Sequence, residues 1–219
     1  MKLILDTIDT EAIERIYAIT KVDGITSNPS IVAKAAKPGD TSNRLLLRAM
    51  NTVRGLDENA EIHIQVLSEK CDDIVFEAHR LRDRFGNVFV KIPVTEEGLK
   101  AIRILSREGV PVTATAIYSF MQAFLALNAG AEYAALYCNR MLNNGVDYLD
   151  VIRKLKRIMP EGKILAASFK SIQQVIDAYD AGADSCTVPP ELIIGTLDSP
   201  LVLDAVSKFN SDWNSKFSN

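Results

Sequence analysis

The chain has 219 residues, of which 47% are apolar and 24% charged, and its formal net charge is −3. This length fits one large domain or two small ones, and the composition excludes extensive disorder. A weak negative charge with no basic patch leaves no electrostatic case for a nucleic-acid partner.

Met1-Lys2-Leu3-Ile4-Leu5-Asp6 meets an acid after three apolar residues, so it reads as a strand over 2–6 rather than a signal sequence or a membrane span; cytoplasmic residence is the expectation. Further strands are expected near 23–27, 62–67, 87–92, 111–116, 133–138, 163–168 and 185–188. Stretches with helical periodicity run between them, over 11–19, 43–54, 70–84, 96–107, 119–128, 148–158 and 172–179. Gly109, Gly130 and Gly182 mark helix ends, as left-handed caps do. Thr95 and Ser68 offer hydroxyl caps at helix starts, with acids following.

Eight strand-helix units without a compositional break favour an α/β fold of one domain over 1–219, a closed (β/α)8 TIM barrel, over a doubly wound sheet. Because roughly 250 residues are typical of that fold, the loops must be brief. The segment 201–219 lies beyond the last unit and is expected to add a C-terminal helix, with Phe209, Trp213 and Phe217 in one stripe. Such a stripe either seals the barrel or packs against a neighbouring subunit.

Cys71, Cys138 and Cys186 are scattered and odd in number, which speaks against a disulfide framework or a thiolate zinc site and suits buried apolar fillers. His63 and His79 share no ligand spacing. Nothing points to a metal or to any other cofactor.

Lys91 lies in Val88-Phe89-Val90-Lys91-Ile92-Pro93-Val94, where every other residue is apolar. A buried ammonium is costly unless it is paired or loses its proton. A neutral lysine attacks a ketone to form a Schiff base, so covalent carbonyl chemistry is the leading reading. The alternative is a rim lysine whose stem packs while its amine reaches water.

Period-two counting assigns inward pairs to the strands: Ile4 and Asp6, Thr26 and Asn28, His63 and Gln65, Phe89 and Lys91, Thr113 and Thr115, Ala135 and Tyr137, Ala166 and Ser168. The later member of each pair lies near the carboxyl end of its strand, where barrel enzymes collect function. Asp6, Asn28, Gln65, Thr115, Tyr137 and Ser168 are therefore expected to form a polar ring around Lys91. Each has a plain structural explanation alone, Asn28-Pro29 being a turn or helix-start signal, but seven on one face would be wasteful as pure structure. Arg140, expected in a loop, suits a phosphate or a solvent ion pair, and the turn at Ser168-Phe169-Lys170-Ser171 offers backbone N–H groups to the same anion.

At these residues the chain resembles the fructose-6-phosphate aldolases and small transaldolases of the transaldolase family. The resemblance runs through Leu5-Asp6-Thr7, Gly24-Ile25-Thr26-Ser27-Asn28-Pro29-Ser30, Val90-Lys91-Ile92-Pro93-Val94-Thr95, Ala129-Gly130-Ala131-Glu132-Tyr133 and Ala166-Ala167-Ser168-Phe169-Lys170. It implies a class I barrel enzyme that uses lysine rather than a metal and assembles as a homo-oligomer, pentameric rings stacked into a decamer, with contacts through the C-terminal helix. By the same resemblance Lys91 is the Schiff-base lysine, Asp6 assists proton movements, Thr115 and Gln65 hold a water, and Tyr137 transfers protons. Asn28 and Thr26 hold the donor side, and Arg140 and Ser168 hold an acceptor phosphate.

Transaldolases place a glutamate at the position of Gln65 and usually a phenylalanine at that of Tyr137, so the resemblance favours the aldolase branch. The implied reaction is reversible cleavage of fructose 6-phosphate to dihydroxyacetone and glyceraldehyde 3-phosphate, with small sugar phosphates as the partners. The alternatives are transfer of a dihydroxyacetone unit from sedoheptulose 7-phosphate to glyceraldehyde 3-phosphate, and a noncatalytic barrel that binds sugar phosphates or acts as a scaffold. The segment Met141-Leu142-Asn143-Asn144-Gly145-Val146 and the serine at position 27 depart from the usual pattern.

Overall fold

The alternation of short apolar runs with amphipathic stretches resolves, in the computed structural model, into eight parallel strands closed into a barrel in chain order; the structure describes residues 1–217. The elements are β1 (Lys2–Asp6), α1 (Thr10–Tyr17), β2 (Gly24–Thr26), α2 (Pro29–Ala35), α3 (Ser42–Leu56), β3 (Glu61–Gln65), α4 (Cys71–Phe85), β4 (Phe89–Pro93), α5 (Glu96–Arg107), β5 (Val112–Ile117) and α6 (Phe120–Asn128). They continue as β6 (Tyr133–Tyr137), α7 (Cys138–Asn143), α8 (Tyr148–Ile158), β7 (Lys163–Ala167), α9 (Ile172–Asp180), β8 (Ser185–Val188), α10 (Pro190–Leu197) and α11 (Pro200–Asn214). Every expected strand is present, while α2, α7 and α10 are short helices that the helical periodicity did not mark.

Outward-facing strand residues such as Val90, Ile92, Ala114, Leu136 and Ile164 join the apolar faces of the surrounding helices in one buried layer, a second layer forming around β1 to β3. Each fully buried branched side chain there contributes about 1.5–3 kcal/mol over its exposed state. Inside the barrel the apolar content is small: Ile4, Tyr133, Ala135 and Leu165 cluster, with Phe89 packed against them. The His63 ring stacks on Phe89 at 4.6 Å between centroids, and its Nδ1 lies 2.8 Å from Thr113 Oγ1. This plug closes the barrel beneath the carboxyl-terminal ends of the strands. Lower still, Lys2 pairs with Glu61 at 2.5 Å, and Tyr133 donates to the same carboxylate.

The cap signals hold in part. Gly109, Gly130 and Gly182 take φ of +74°, +104° and +107° just past helix ends, and Thr95 Oγ1 accepts from Gly98 N. Gly98 is also required for space, since a Cβ there would lie 2.1 Å from the carbonyl oxygen of Pro93, at the end of the strand that carries Lys91. Ser68 does not cap α4. The N-cap residue is Lys70, without a side-chain cap, and Glu97 instead accepts from the N–H of Cys71. Among the described residues, no helix is long and apolar enough to cross a membrane.

Candidate active site

Lys91 belongs to the inner face of β4, one residue pair above Phe89, and only 4% of it is exposed. The rim alternative therefore fails: the amine itself is buried. Its Nζ donates to the carbonyl oxygen of Ser27 at 2.8 Å, a backbone acceptor that fixes the direction of the amine without neutralising it. Burial pushes the Lys91 pKa below the ordinary lysine value, opposed by the charge of Asp6. Burial likewise raises Asp6 above the usual carboxylate range, with the Lys91 charge and a hydrogen bond from Thr26 working against it. The two groups thus meet from opposite directions, each made easier to neutralise.

Asp6 is held from β2 and β8. Thr26 Oγ1 donates to Asp6 Oδ1 at 2.7 Å and lies 2.6 Å from Thr187 Oγ1. The single hydroxyl proton of Thr26 is committed to Asp6, so Thr187 must donate to Thr26. Thr187 was left out of the inward pairs, although Ser185 and Thr187 alternate with Cys186 and Val188 along β8 as the paired residues of the other strands do.

On the other side of Lys91, Thr115 donates to the Tyr137 phenol oxygen at 3.2 Å. Tyr137 is raised above the ordinary tyrosine value, burial being the largest cause, and stays a protonated donor at neutral pH. Lys91, Asp6, Asn28, Thr115, Tyr137, Arg140 and Ser168 line one cavity of about 150 Å³. Gln65 is not among its lining residues. It lines a neighbouring cavity of about 370 Å³ that shares Asn28, Tyr137 and Arg140 with the first. Among the described residues the buried Oε1 of Gln65 has no hydrogen-bond partner, so an acceptor stands ready at the junction. The Asn28 side chain accepts from the N–H of Ile31 as the N-cap of α2, so this one residue starts a helix and lines the site.

Two expectations are corrected. On β7 the inward residues are Leu165 and Ala167, whereas Ala166 packs outward among the helices. Ser168 still reaches the cavity, because its backbone turns through φ +63° instead of continuing the pleat. Arg140 lies not in a loop but in α7, which follows β6 with no intervening residue. Its guanidinium sits 5.0 Å from the centroid of the Tyr137 ring and donates to Tyr118 OH at 3.3 Å. Tyr118 was also missed.

Residues 3–218 match the family model described as Transaldolase/Fructose-6-phosphate aldolase. The chain belongs to that family. The transaldolase/fructose-6-phosphate aldolase assignment agrees with a probable fructose-6-phosphate aldolase of Streptococcus pneumoniae, 38% identical over 218 residues that cover 97% of this chain and 96% of the relative. Solved structures add the fold. A native KDPGal structure aligns with a TM-score of 0.57 at 16% identity, covering 84% of this chain and 80% of the other. Inosine 5′ monophosphate dehydrogenase from Legionella pneumophila aligns at the same TM-score and 14% identity, covering 88% of this chain and 58% of the other. At such identities these two speak only for the barrel shared with this transaldolase/fructose-6-phosphate aldolase family member.

Proposed function

We propose that the protein is a class I aldolase that reversibly cleaves fructose 6-phosphate to dihydroxyacetone and glyceraldehyde 3-phosphate through a Schiff base on Lys91. The observation that carries this reading is the buried Lys91 amine, depressed in pKa, at the carboxyl-terminal mouth of the barrel between Asp6 and the Thr115–Tyr137 pair. In the direction of synthesis the neutral amine adds to the ketone carbon of dihydroxyacetone, and the carbinol hydroxyl, taking up a proton from Asp6, leaves as water, so that an iminium remains beside the Asp6 carboxylate. Its positive charge acidifies the adjacent carbon and is balanced by Asp6. Tyr137, its oxygen already accepting from Thr115, relays the departing proton through a water held toward Gln65, and an enamine results. The enamine carbon bonds to the aldehyde carbon of glyceraldehyde 3-phosphate, whose oxygen takes up the relayed proton from Tyr137. One water then hydrolyses the iminium, releasing the ketose, restoring the neutral amine and returning one proton to Asp6.

Arg140 and Ser168 would hold the acceptor phosphate, and Thr26 and Asn28 the donor side. Gln65 and Tyr137 support direct aldol chemistry over transfer of the three-carbon unit. Dihydroxyacetone plus sodium cyanoborohydride should add one reduced three-carbon unit to Lys91, located by peptide mass spectrometry. A protein left unlabelled, or labelled on another lysine, would falsify the assignment.

The tail supports a homo-oligomer. Phe209, Trp213 and Phe217 on and just past α11 are 67%, 62% and 60% exposed, more aromatic surface than an isolated chain normally leaves bare. A second copy covering this stripe accounts for it, as pentameric rings stacked into a decamer would. The double variant Phe209→Glu, Trp213→Glu should lower the mass measured by analytical ultracentrifugation; an unchanged mass refutes the tail as the interface.

A further inference from the structure

Tyr118 touches two groups that the proposed reaction uses for different tasks. Its hydroxyl accepts from Nη1 of Arg140 at 3.3 Å, and its ring meets that of Tyr137 edge to face, 5.6 Å between centroids at 69°. Arg140 in turn lies over the Tyr137 ring, so the three side chains close a triangle at the rim of the cavity. A second, independent feature delivers Tyr118 to that place. The register between β5 and β6 shifts between Ala114 and Ile117, and Ala116 takes a φ of +58°. Left-handed backbone at a residue other than glycine persists only where the surroundings enforce it, and such sites gather around function. Just beyond, the Tyr118 N–H donates to Gln122 Oε1 at 2.8 Å and Ser119 caps α6. The residue is therefore fixed on both sides along the chain, between a bulge and a capped helix.

We infer that Tyr118 is a positioning residue that braces the Arg140 guanidinium and the Tyr137 ring together, coupling the grip on an acceptor's anionic group to the placement of the proton-transferring phenol. This rests on the aldolase reading of the site. Arg140 is solvent-exposed, and a long side chain of that kind loses rotamer freedom when it clamps an anion. A hydroxyl that holds the guanidinium before the acceptor arrives lowers that cost. Removing only the hydroxyl should therefore weaken anionic acceptors selectively, while removing the ring should disturb the phenol and hence every acceptor.

Tyr118→Phe keeps the ring and should raise KM for glyceraldehyde 3-phosphate about five-fold while moving KM for unphosphorylated glyceraldehyde less than about two-fold. In the background of Arg140→Ala the same change should add nothing further, because the hydroxyl acts through the guanidinium. Tyr118→Leu should lower kcat about ten-fold with both acceptors and slow deuterium exchange into dihydroxyacetone to the same degree. Equal KM changes for the two acceptors, full additivity with Arg140→Ala, or exchange unaffected by the leucine would each overturn the inference. Absence of the cyanoborohydride adduct on Lys91 in the parent protein would instead remove the aldolase reading, so the two failures are told apart.

Discussion

Lys91→Ala should abolish aldol cleavage and synthesis, a loss of at least about 10⁴-fold, because the covalent capture of the ketone and the electron sink vanish together. Lys91→Met should lose as much activity while keeping the apolar stem in place. The stabilities of these variants are informative as well. Stripping an amine of water at 4% exposure disfavours its charged form and lowers its pKa, and the acceptor it meets, the carbonyl of Ser27, carries no charge. Lys91→Met removes that cost and should melt at or above the temperature of the parent. The sign of the pH dependence follows from the depressed pKa. The cost is fully present below the folded-state value and disappears as pH rises to the ordinary value of 10.5, where the unfolded chain's lysine is neutral too. The melting advantage of Lys91→Met should therefore shrink on the alkaline side. Residual turnover of the parent's order in either variant would sink the Schiff-base proposal.

Tyr137→Phe should reduce turnover by about 10²–10⁴-fold, the range for loss of a positioned acid–base group. The substitution keeps the ring under the Arg140 guanidinium and against Tyr118, so acceptor binding should survive. It removes the oxygen to which Thr115 donates, leaving that buried hydroxyl without its partner. Adduct formation with dihydroxyacetone should persist, while exchange of its carbon-bound hydrogen with deuterium oxide should fall with turnover. That combination separates a proton-transfer role from a binding role. Exchange at the parental rate would make the phenol a structural element.

Much of this arrangement was legible because the barrel repeats two simple periods. Runs such as Val88–Val94 stand out as strands buried on both faces, and a lysine within one of them is conspicuous because so few physical explanations suit it. Asp6, Thr26, Thr115 and Tyr137 followed from counting every second residue. The same counting failed on β7, since nothing in Ala166-Ala167-Ser168 announces that the serine adopts a φ of +63°. Arg140 looked like a loop residue because Tyr137, the N-cap of α7, makes no side-chain cap bond and supplies no start signal. The carbonyl of Ser27, acceptor for Lys91, was invisible for a different reason: every residue has one, and only the closed barrel says which of them faces the amine.

For the proposed aldol reaction, the direct passage from β6 into α7 bears on how an acceptor would be seated. Tyr137 ends the strand and Arg140 stands one helical turn later, with no flexible residue between them. The points from which phenol and guanidinium extend are thus set by the backbone and not by a loop, while the guanidinium itself moves on a long side chain that the Tyr137 ring and the Tyr118 hydroxyl steady. In the proposed reaction, an aldehyde whose carbonyl and anionic end match the distance between those two points would be seated ready for bond formation.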